Sequence, residues 1–437
     1  MAILGKERWK IWEEVYESID ILQDIFSEES EDRTHGAVLK IYRRYIDEVF
    51  RAMDEGKKII YGNFAVPGTL MRGFNTDEVF WYQLEALPVI QSLVGEPGVW
   101  NARLADAAEA AGMAPEICSV DRIAHGSYIE RVIPQPDAGF YLTTPCDSQT
   151  CLVNNMVAET KKPTIVLDMP STAGREQIEY VARQFISVIQ FLEDTLHITY
   201  DYERLGHACR LYNEMMESVA EWADLRQIRP AAQPCETLSI MAAVVTVFSG
   251  HESGVEYALE TLQEQKEFIE RGNRAVDGEE VRAIWYGTPF WTDLNFYNWL
   301  EMECKVTIPM DMFGFFNAGN LIDLSSRERT LEGIAYNALR NFPMTRQLLG
   351  SIEDYLSDYR TLCKLYGADF GIIPGHLGCT HSWGASGLVR EESERMGLPL
   401  LIFEFDMLDP RVTPRDDVEV LIKNFVEDIV IPGRDQA

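Results

Sequence analysis

Residues 369–403 read DFGIIPGHLGCTHSWGASGLVREESERMGLPLLIF. The stretch contains an apolar run at 369–374, an amphipathic segment at 382–396 and a second apolar run at 398–403. This pattern predicts two strands that are joined by a helix. Because parallel neighbouring strands need a long crossover connection, the stretch is typical of a βαβ unit with parallel strands.

The same alternation of apolar runs and amphipathic segments extends over most of the chain. The predicted strands cover residues 58–61, 138–143, 163–168, 281–286, 305–309, 369–374 and 398–403. The predicted helices include residues 175–195, 202–222, 254–270, 345–366, 382–396 and 416–429. Strands that mostly alternate with helices predict an α/β protein with mainly parallel sheets.

The chain divides into three predicted parts. Residues 7–55 carry apolar side chains at helical spacing with an acidic interruption at 27–33, which predicts a helical hairpin. We interpret this hairpin as a solvated flank, with a subunit contact as the alternative. Two prolines in segment 221–234 mark the predicted boundary between two sets of strands. We therefore expect an N-terminal helical segment at 1–56 and two Rossmann-like α/β domains, at 57–228 and 229–437, that face a central cleft.

Composition and charge exclude several classes of function. The 437 residues include 39 Lys plus Arg and 70 Asp plus Glu, a formal charge of −31. Such a charge repels phosphate backbones and anionic lipids, so we expect neither nucleic-acid binding nor a membrane role. The N-terminus shows no secretory pattern, which predicts a cytoplasmic protein. Eight cysteines are too few for a disulfide scaffold, so we expect free thiols, ligands or catalysts.

Three cysteines lie where ligands bind in such folds. Cys146 and Cys379 each follow a predicted strand and precede a predicted helix, whose N-terminus stabilises a thiolate. Cys118 lies in a loop that is compatible with the same cleft. Three thiolates from distant parts of a chain suit an iron–sulfur or zinc site better than a disulfide.

The other cysteines are interpreted mainly as packing residues, because free cysteine is often buried. This interpretation applies to Cys209, Cys235, Cys304 and Cys363, whereas for Cys151 a role near the site is equally open. The sequence contains no CxxC pair, no GxGxxG loop and no GxxxxGK[ST] motif. These absences argue against zinc ribbons, ferredoxin-type clusters, Rossmann dinucleotide sites and P-loop ATP sites.

The segments around Cys146 and Cys379, together with residues 397–411, GLPLLIFEFDMLDPR, resemble the benzoyl-CoA reductase and 2-hydroxyacyl-CoA dehydratase family. The resemblance runs from about residue 57 to residue 431. It implies two α/β domains with a [4Fe-4S] cluster between them, held at the positions of Cys118, Cys146 and Cys379. It also implies a homologous second cluster-binding subunit, an ATP-hydrolysing iron–sulfur activator and a CoA thioester substrate.

Three short segments bear on the branch of this family. AVPGT at 65–69, DAAEAAG at 106–112 and TPFWT at 288–292 resemble the larger cluster subunit of benzoyl-CoA reductase more closely. The resemblance therefore favours ring reduction of a benzoyl-CoA-type thioester by single electrons. One alternative is a subunit of a (R)-2-hydroxyacyl-CoA dehydratase that works through a ketyl radical. Another is a non-redox acyl-CoA-binding or structural subunit, with cysteines that pack or bind zinc.

Three residues near strand ends are candidates for proton transfer: His376, Glu404 and Asp406. For His376, donation of a hydrogen bond to a cluster sulfur is an equally open interpretation. For Asp406, the alternative is a capping and ion-pair network with Asp409 and Arg411.

The remaining site predictions concern the surroundings of the cysteines. His381 and Asp147 are predicted to contact the cofactor, His381 as a hydrogen-bond donor to a cluster sulfur. Trp285 and Trp291 are predicted to line an apolar substrate pocket, with core packing as the alternative. The phosphates of CoA need local cations, for which the candidates are Arg122, Arg131, Lys161 and Lys162.

Overall fold

The computed structural model of this protein describes residues 6–26, 33–74, 76–94, 97–276, 278–342, 344–349 and 351–434. The strands in these ranges are β1 (Lys58–Gly62), β2 (Val79–Gln83), β3 (Ala138–Leu142), β4 (Thr164–Leu167), β5 (Val281–Trp285), β6 (Val306–Thr307), β7 (Phe370–His376) and β8 (Leu400–Phe405). The helices are α1 (Lys6–Ile25), α2 (Arg33–Asp54), α3 (Gly68–Met71), α4 (Ala86–Val94), α5 (Pro97–Ala110), α6 (Ser119–Ile129), α7 (Asp147–Thr160), α8 (Arg175–Leu196), α9 (Tyr202–Leu225), α10 (Glu236–Val247), α11 (Glu252–Arg271), α12 (Asn295–Cys304), α13 (Arg327–Tyr336), α14 (Ile352–Leu365), α15 (Thr380–Met396), α16 (Arg415–Phe425) and α17 (Ile431–Arg434). Three π-helical turns occupy Asn337–Asn341, Thr345–Leu349 and Val426–Val430.

The strands form two four-stranded sheets with the same order of strands. The first sheet has the order β2-β1-β3-β4 and the second has the order β6-β5-β7-β8. All pairs within both sheets are parallel. The prediction of an α/β protein with two Rossmann-like sheets is therefore confirmed. No helix in the described part of the chain has the length and apolar composition that crossing a bilayer requires.

Strand β2 is the element that the sequence pattern misses. A turn of only two residues separates it from α4, so that residues 79–94, VFWYQLEALPVIQSLV, form one mostly apolar segment. A short apolar run inside such a segment cannot be told from a buried helix by periodicity. Residues 345–366, predicted as a single helix, are divided into a π-helical turn and α14. The division follows from Ser351, whose hydroxyl accepts the N–H of Asp354 and caps α14.

Strand β7 continues beyond its predicted end at Pro374. A proline removes a ladder hydrogen bond and is expected at a strand edge or end. The structure tolerates Pro374 because β5 ends at Trp285, and the proline ring lies beside Gly287 in the following loop. The extension brings His376 into register with Phe405 on β8.

The N-terminal hairpin is confirmed as two helices, α1 and α2, although residues 27–32 of the acidic interruption lie outside the described residues. Its interpretation as a solvated flank is wrong. Trp12 is 2% exposed, and its indole N–H donates to the Val132 carbonyl at 2.7 Å. Helix α2 packs against α11, which itself packs against α9 across the predicted boundary at 229. The domain boundary stays a prediction.

Arg122 of α6 connects the first part of the chain to the segment after β8. Its Nη1 atom lies 2.6 Å from Glu109 Oε1 and 3.0 Å from Asp409 Oδ2. Arg411 also binds Asp409, at 2.8 Å to Oδ1 and 2.6 Å to Oδ2. Because Arg122 is 2% exposed, it is not available to the phosphates of CoA, contrary to the sequence-based expectation.

We expect Arg122→Met to lower the free energy of unfolding by about 3 kcal/mol, because removing one partner of a buried ion pair leaves a buried charge. Asp409 retains Arg411, which places the loss at the lower end of the usual range of about 3–5 kcal/mol. Chemical denaturation measures the change. The control is Arg103→Met, whose partner Glu130 is 30% exposed, with an expected loss of about 0–1 kcal/mol. Equal losses in both variants would contradict the assigned role of Arg122.

Candidate functional site

A cavity lies at the carboxyl ends of both sheets. After β1 and β3 the first sheet contributes Phe64 and Cys146, and after β5 and β7 the second contributes Thr288 and Cys379. These strand pairs are the points where the strand order reverses in each sheet. Such switch points are where open α/β sheets bind ligands. The topology of both sheets therefore places one shared ligand site between them.

The three predicted cysteines line this cavity together. Cys118 is the N-cap residue of α6, Cys146 that of α7 and Cys379 that of α15. Each sulfur therefore lies at the positive end of a helix, although at α7 the Ser148 N–H already donates to Asp147 Oδ1 at 2.9 Å. The structure thus brings together three thiols and three positive helix ends.

Gly378 allows the turn that precedes Cys379 to pack closely against the backbone at Cys118. A Cβ atom at Gly378 would lie 2.4 Å from the backbone N and 2.5 Å from the Cα of Cys118. Real Cβ atoms do not approach backbone this closely. Only glycine permits this packing of the turn after β7 against the segment between α5 and α6.

His376 at the end of β7 is completely buried and contacts Cys118. The N–H of Met407 donates to Nδ1 of His376 at 3.3 Å, so Nε2 carries the proton of the neutral ring. Nε2 lies 3.2 Å from Cys118 Sγ and donates to it. Burial lowers the pKa of His376, which keeps the imidazole neutral at pH 7.

A buried polar network supports the Cys118 turn. The Ser148 hydroxyl accepts the N–H of Cys118 at 3.1 Å and donates to Asp121 at 2.5 Å. The Gln149 amide donates to Asp121 and, at 3.1 Å, to Glu85 Oε1. Burial raises the pKa of Asp121 to about 7. Burial and the charge of Asp121 raise the pKa of Glu85 to about 8, so Glu85 holds a proton at pH 7.

The donor set fits a thiolate-bound metal cofactor. Burial raises the pKa of all three cysteine thiols, those of Cys118 and Cys146 far above the ordinary value. A coordinated cation reverses this effect and deprotonates a thiol outright. Among the described residues, no group of three or more His, Cys, Asp and Glu side chains is arranged to hold a single metal ion.

Some of the other predicted site residues line the cavity, and others lie outside it. Asp147, His381 and Trp291 line the cavity. His381 Nδ1 lies 3.8 Å from Asp147 Oδ1, and Asp147 also accepts the Thr380 hydroxyl at 3.0 Å. The functions predicted for these side chains remain predictions.

Three predicted residues do not line the cavity. Trp285 lies in the core of the second sheet, where its indole N–H donates to the Thr288 carbonyl at 2.7 Å. Glu404 is exposed on β8. Asp406 is buried behind His376 and accepts the N–H groups of Leu408 and Asp409 at 2.9 and 2.8 Å, respectively. Asp406 therefore stabilises the turn after β8, as its alternative interpretation states.

Sequence reasoning misses Gln83 and Glu85, which both line the cavity. The Gln83 amide atoms and Glu85 Oε2 have no hydrogen-bond partner among the described residues. The available signal is a polar pair at the end of an apolar strand segment, since Gln83 is the last residue of β2 and Glu85 lies in the turn that follows. The signal is lost when the strand itself is not recognised.

The family model described as 2-hydroxyglutaryl-CoA dehydratase, D-component, matches residues 86–429. The match covers well over half of the 437 residues and includes all three cysteines of the cavity. It is in agreement with the resemblance that the segments around Cys146 and Cys379 carry. No curated protein matches the chain.

We expect Gly378→Ala to destabilise the fold by about 1–3 kcal/mol, the usual cost of overpacking, because the new methyl group meets the Cys118 backbone. The matched control is Gly384→Ala on α15, where an added Cβ has no neighbour within 4 Å. Alanine inside a helix is favoured over glycine by about 0.5–1 kcal/mol, so this control should gain stability. Thermal unfolding of both variants measures the difference, and a shift in the same direction for both would contradict the assigned close contact.

Proposed function

The chain belongs to the 2-hydroxyglutaryl-CoA dehydratase D-component family, and we propose that it binds a [4Fe-4S] cluster and reduces an acyl-CoA thioester by single electrons. The observation that supports this proposal is the meeting of three cysteines at three helix N-termini in one cavity. Family membership supports a subunit of a dehydratase-type enzyme. The cluster and the reduction are the further step of the proposal.

Cys118, Cys146 and Cys379 would hold the cluster. In a cubane each cysteine binds a different iron atom, so the ligands need not be close enough to share one ion. When bound, the cluster would supply electrons at low potential. One of its iron atoms would have no ligand among these three cysteines. The Nε2–H of His376 is a donor to the Cys118 sulfur, and hydrogen bonds to sulfur tune the reduction potential.

We propose an aromatic acyl group as the substrate, with ring reduction of the benzoyl-CoA type as the reaction. The cavity is lined mainly by apolar side chains, among them the aromatic rings of Phe64, Trp291, Phe313 and Phe342. Such apolar walls suit an aryl ring. Reduction of the ring takes up two electrons and two protons. Glu85, protonated at pH 7 and directed at the cavity, is our candidate proton donor.

Dehydration of a 2-hydroxyacyl-CoA is the second candidate, and the description of the matching family favours it. This reaction removes water without net consumption of electrons. The two candidates therefore differ in stoichiometry. Benzoyl-CoA should consume two electrons of reductant per ring, whereas a 2-hydroxyacyl-CoA should release water with reductant needed only in catalytic amounts. The assay on both thioesters decides between them.

The word component in the family description implies a multi-part enzyme. We propose a homologous second cluster-binding subunit and an ATP-hydrolysing iron–sulfur activator as the partners. The absence of a GxxxxGK[ST] motif from this chain agrees with ATP hydrolysis on a partner.

The cluster is tested by iron and acid-labile sulfide analysis of protein purified without oxygen. We expect about four of each per chain in the wild type and substantial loss in Cys379→Ala, with loss of the spectrum of the reduced cluster. The control is Cys363→Ala, which removes a buried thiol of α14 outside the cavity and should retain iron. Wild-type protein without iron after anaerobic reconstitution, or with zinc in its place, would favour a non-redox binding or structural subunit.

We expect Glu85→Gln to retain iron but to lower the rate of substrate reduction by about 10²-fold, within the usual contribution of a general acid. The variant should also change the pH dependence of stability. A folded-state pKa of about 8, against 4.5 when unfolded, means that wild-type stability falls as pH rises between these values. Glutamine removes this contribution.

The matched control is Glu301→Gln. Burial also raises the pKa of Glu301 to about 8, but this side chain accepts the Cys235 N–H at 2.8 Å and does not line the cavity. This variant should change the pH dependence of stability in the same way and leave the rate of reduction unchanged. If both variants reduce substrate at the wild-type rate, Glu85 is not the proton donor.

A further inference from the structure

A second cavity adjoins the cysteine cavity. The two share the lining residues Phe64, Thr246 and Phe342. The rings of Phe64 and Phe342 lie with their centroids 5.6 Å apart at this common border. A ligand that occupies both cavities would therefore pass beside this aromatic pair.

The second cavity contains buried amide groups without partners. Asn337 lines it and is 9% exposed, and neither Oδ1 nor Nδ2 of its side chain has a hydrogen-bond partner among the described residues. Asn341 donates from Nδ2 to the Tyr212 hydroxyl at 2.8 Å, but its Oδ1 is also without a partner in the described part of the chain. A buried polar group left unpaired costs about 1–3 kcal/mol. Such groups in a native structure call for an explanation, and a ligand provides one.

The local backbone also points to a function. Asn337 and Asn341 are the first and last residues of the π-helical turn that follows α13. π-Helical turns are rare and frequently lie at functional sites. Phe342, the next residue, is one of the two rings at the border. A single turn thus supplies amides to the second cavity and an aromatic ring to its border with the first.

We infer that the second cavity binds the amide-bearing pantetheine arm of an acyl-CoA thioester, with the Asn337 side chain hydrogen-bonded to an amide of that arm. The inference rests on the proposed function. A secondary amide offers one N–H donor and one carbonyl acceptor, which complement Oδ1 and Nδ2 of asparagine. The thioester end of the ligand then extends past Phe64 and Phe342 to the cysteine cavity.

The test is isothermal titration of benzoyl-CoA, and separately of pantetheine, into the full chain purified without oxygen. We expect Asn337→Leu to weaken both affinities by about tenfold or more, because the amide of the ligand loses its partner. The same variant without ligand should unfold at no lower temperature than the wild type, since an apolar side chain replaces an unpaired amide. A purely structural asparagine would instead lose stability and leave binding unchanged.

The matched control is Gln265→Leu on α11. Gln265 is another buried amide whose two side-chain polar atoms are unpaired among the described residues, but it lines neither cavity. This variant should bind both ligands like the wild type. If Asn337→Leu does not fold, Asn337→Ala makes the same comparison.

Two failures are distinguishable. Wild-type affinity in a folded Asn337 variant overturns the inference and leaves the proposed function intact. If the wild-type protein binds neither benzoyl-CoA nor a 2-hydroxyacyl-CoA thioester, the proposed function fails and the inference fails with it.

Discussion

Three helix N-termini that converge on one cavity are the electrostatic constraint on which the site depends. Each helix end carries roughly half a positive charge, and the ends of α6, α7 and α15 meet at Cys118, Cys146 and Cys379. Ends of the same sign repel each other unless negative charge lies between them. Thiolates supply this charge, yet burial opposes their ionisation. A metal cofactor held by these three residues would satisfy both requirements, because a coordinated cation deprotonates buried thiols and so keeps thiolates at the helix ends.

This electrostatic arrangement requires that the backbone at each cysteine is held in place. At Cys118, two contacts hold it. Gly378 packs directly against the Cys118 backbone from the side of the second sheet. In addition, Arg122 donates from Nε to the Ile117 carbonyl at 2.9 Å while its Nη1 binds Asp409. The backbone at Ile117 and Cys118 is thus fixed from the second sheet twice, directly by Gly378 after β7 and through Arg122 by Asp409 after β8. A ligand site between two sheets can be rigid in this way without any single element spanning it.

Sequence patterns predict the site residues that directly follow strands. They fail for residues whose place in the site depends on tertiary packing. The order of strand, cysteine and helix at Cys146 and Cys379 is sufficient to predict that both cysteines lie at a ligand site. The carboxyl ends of parallel strands lie at the same edge of a sheet, where such folds bind ligands. Trp285 and Trp291 are two residues for which the sequence pattern is not sufficient. Trp285 lies within β5 and faces the core, whereas Trp291 in the loop that follows faces the cavity, and composition alone does not separate them. Glu85 is missed because the turn that carries it lies between β2 and α4 in one mostly apolar segment.

The walls of the cavity also limit how a substrate can be selected. An apolar pocket cannot strongly reject an analogue that merely adds a hydroxyl group. Under the proposed function, the aromatic wall at Trp291 and Phe313 would accept an aryl group without excluding a hydroxylated acyl chain. A site with buried polar groups that pair with a substrate hydroxyl does reject the analogue that lacks it. Gln83 and Glu85 are buried polar side chains of this cavity with atoms unpaired among the described residues. If the chain acts on an acyl-CoA as proposed, this polar pair would contribute more than the aromatic wall to the discrimination between the two candidate reactions.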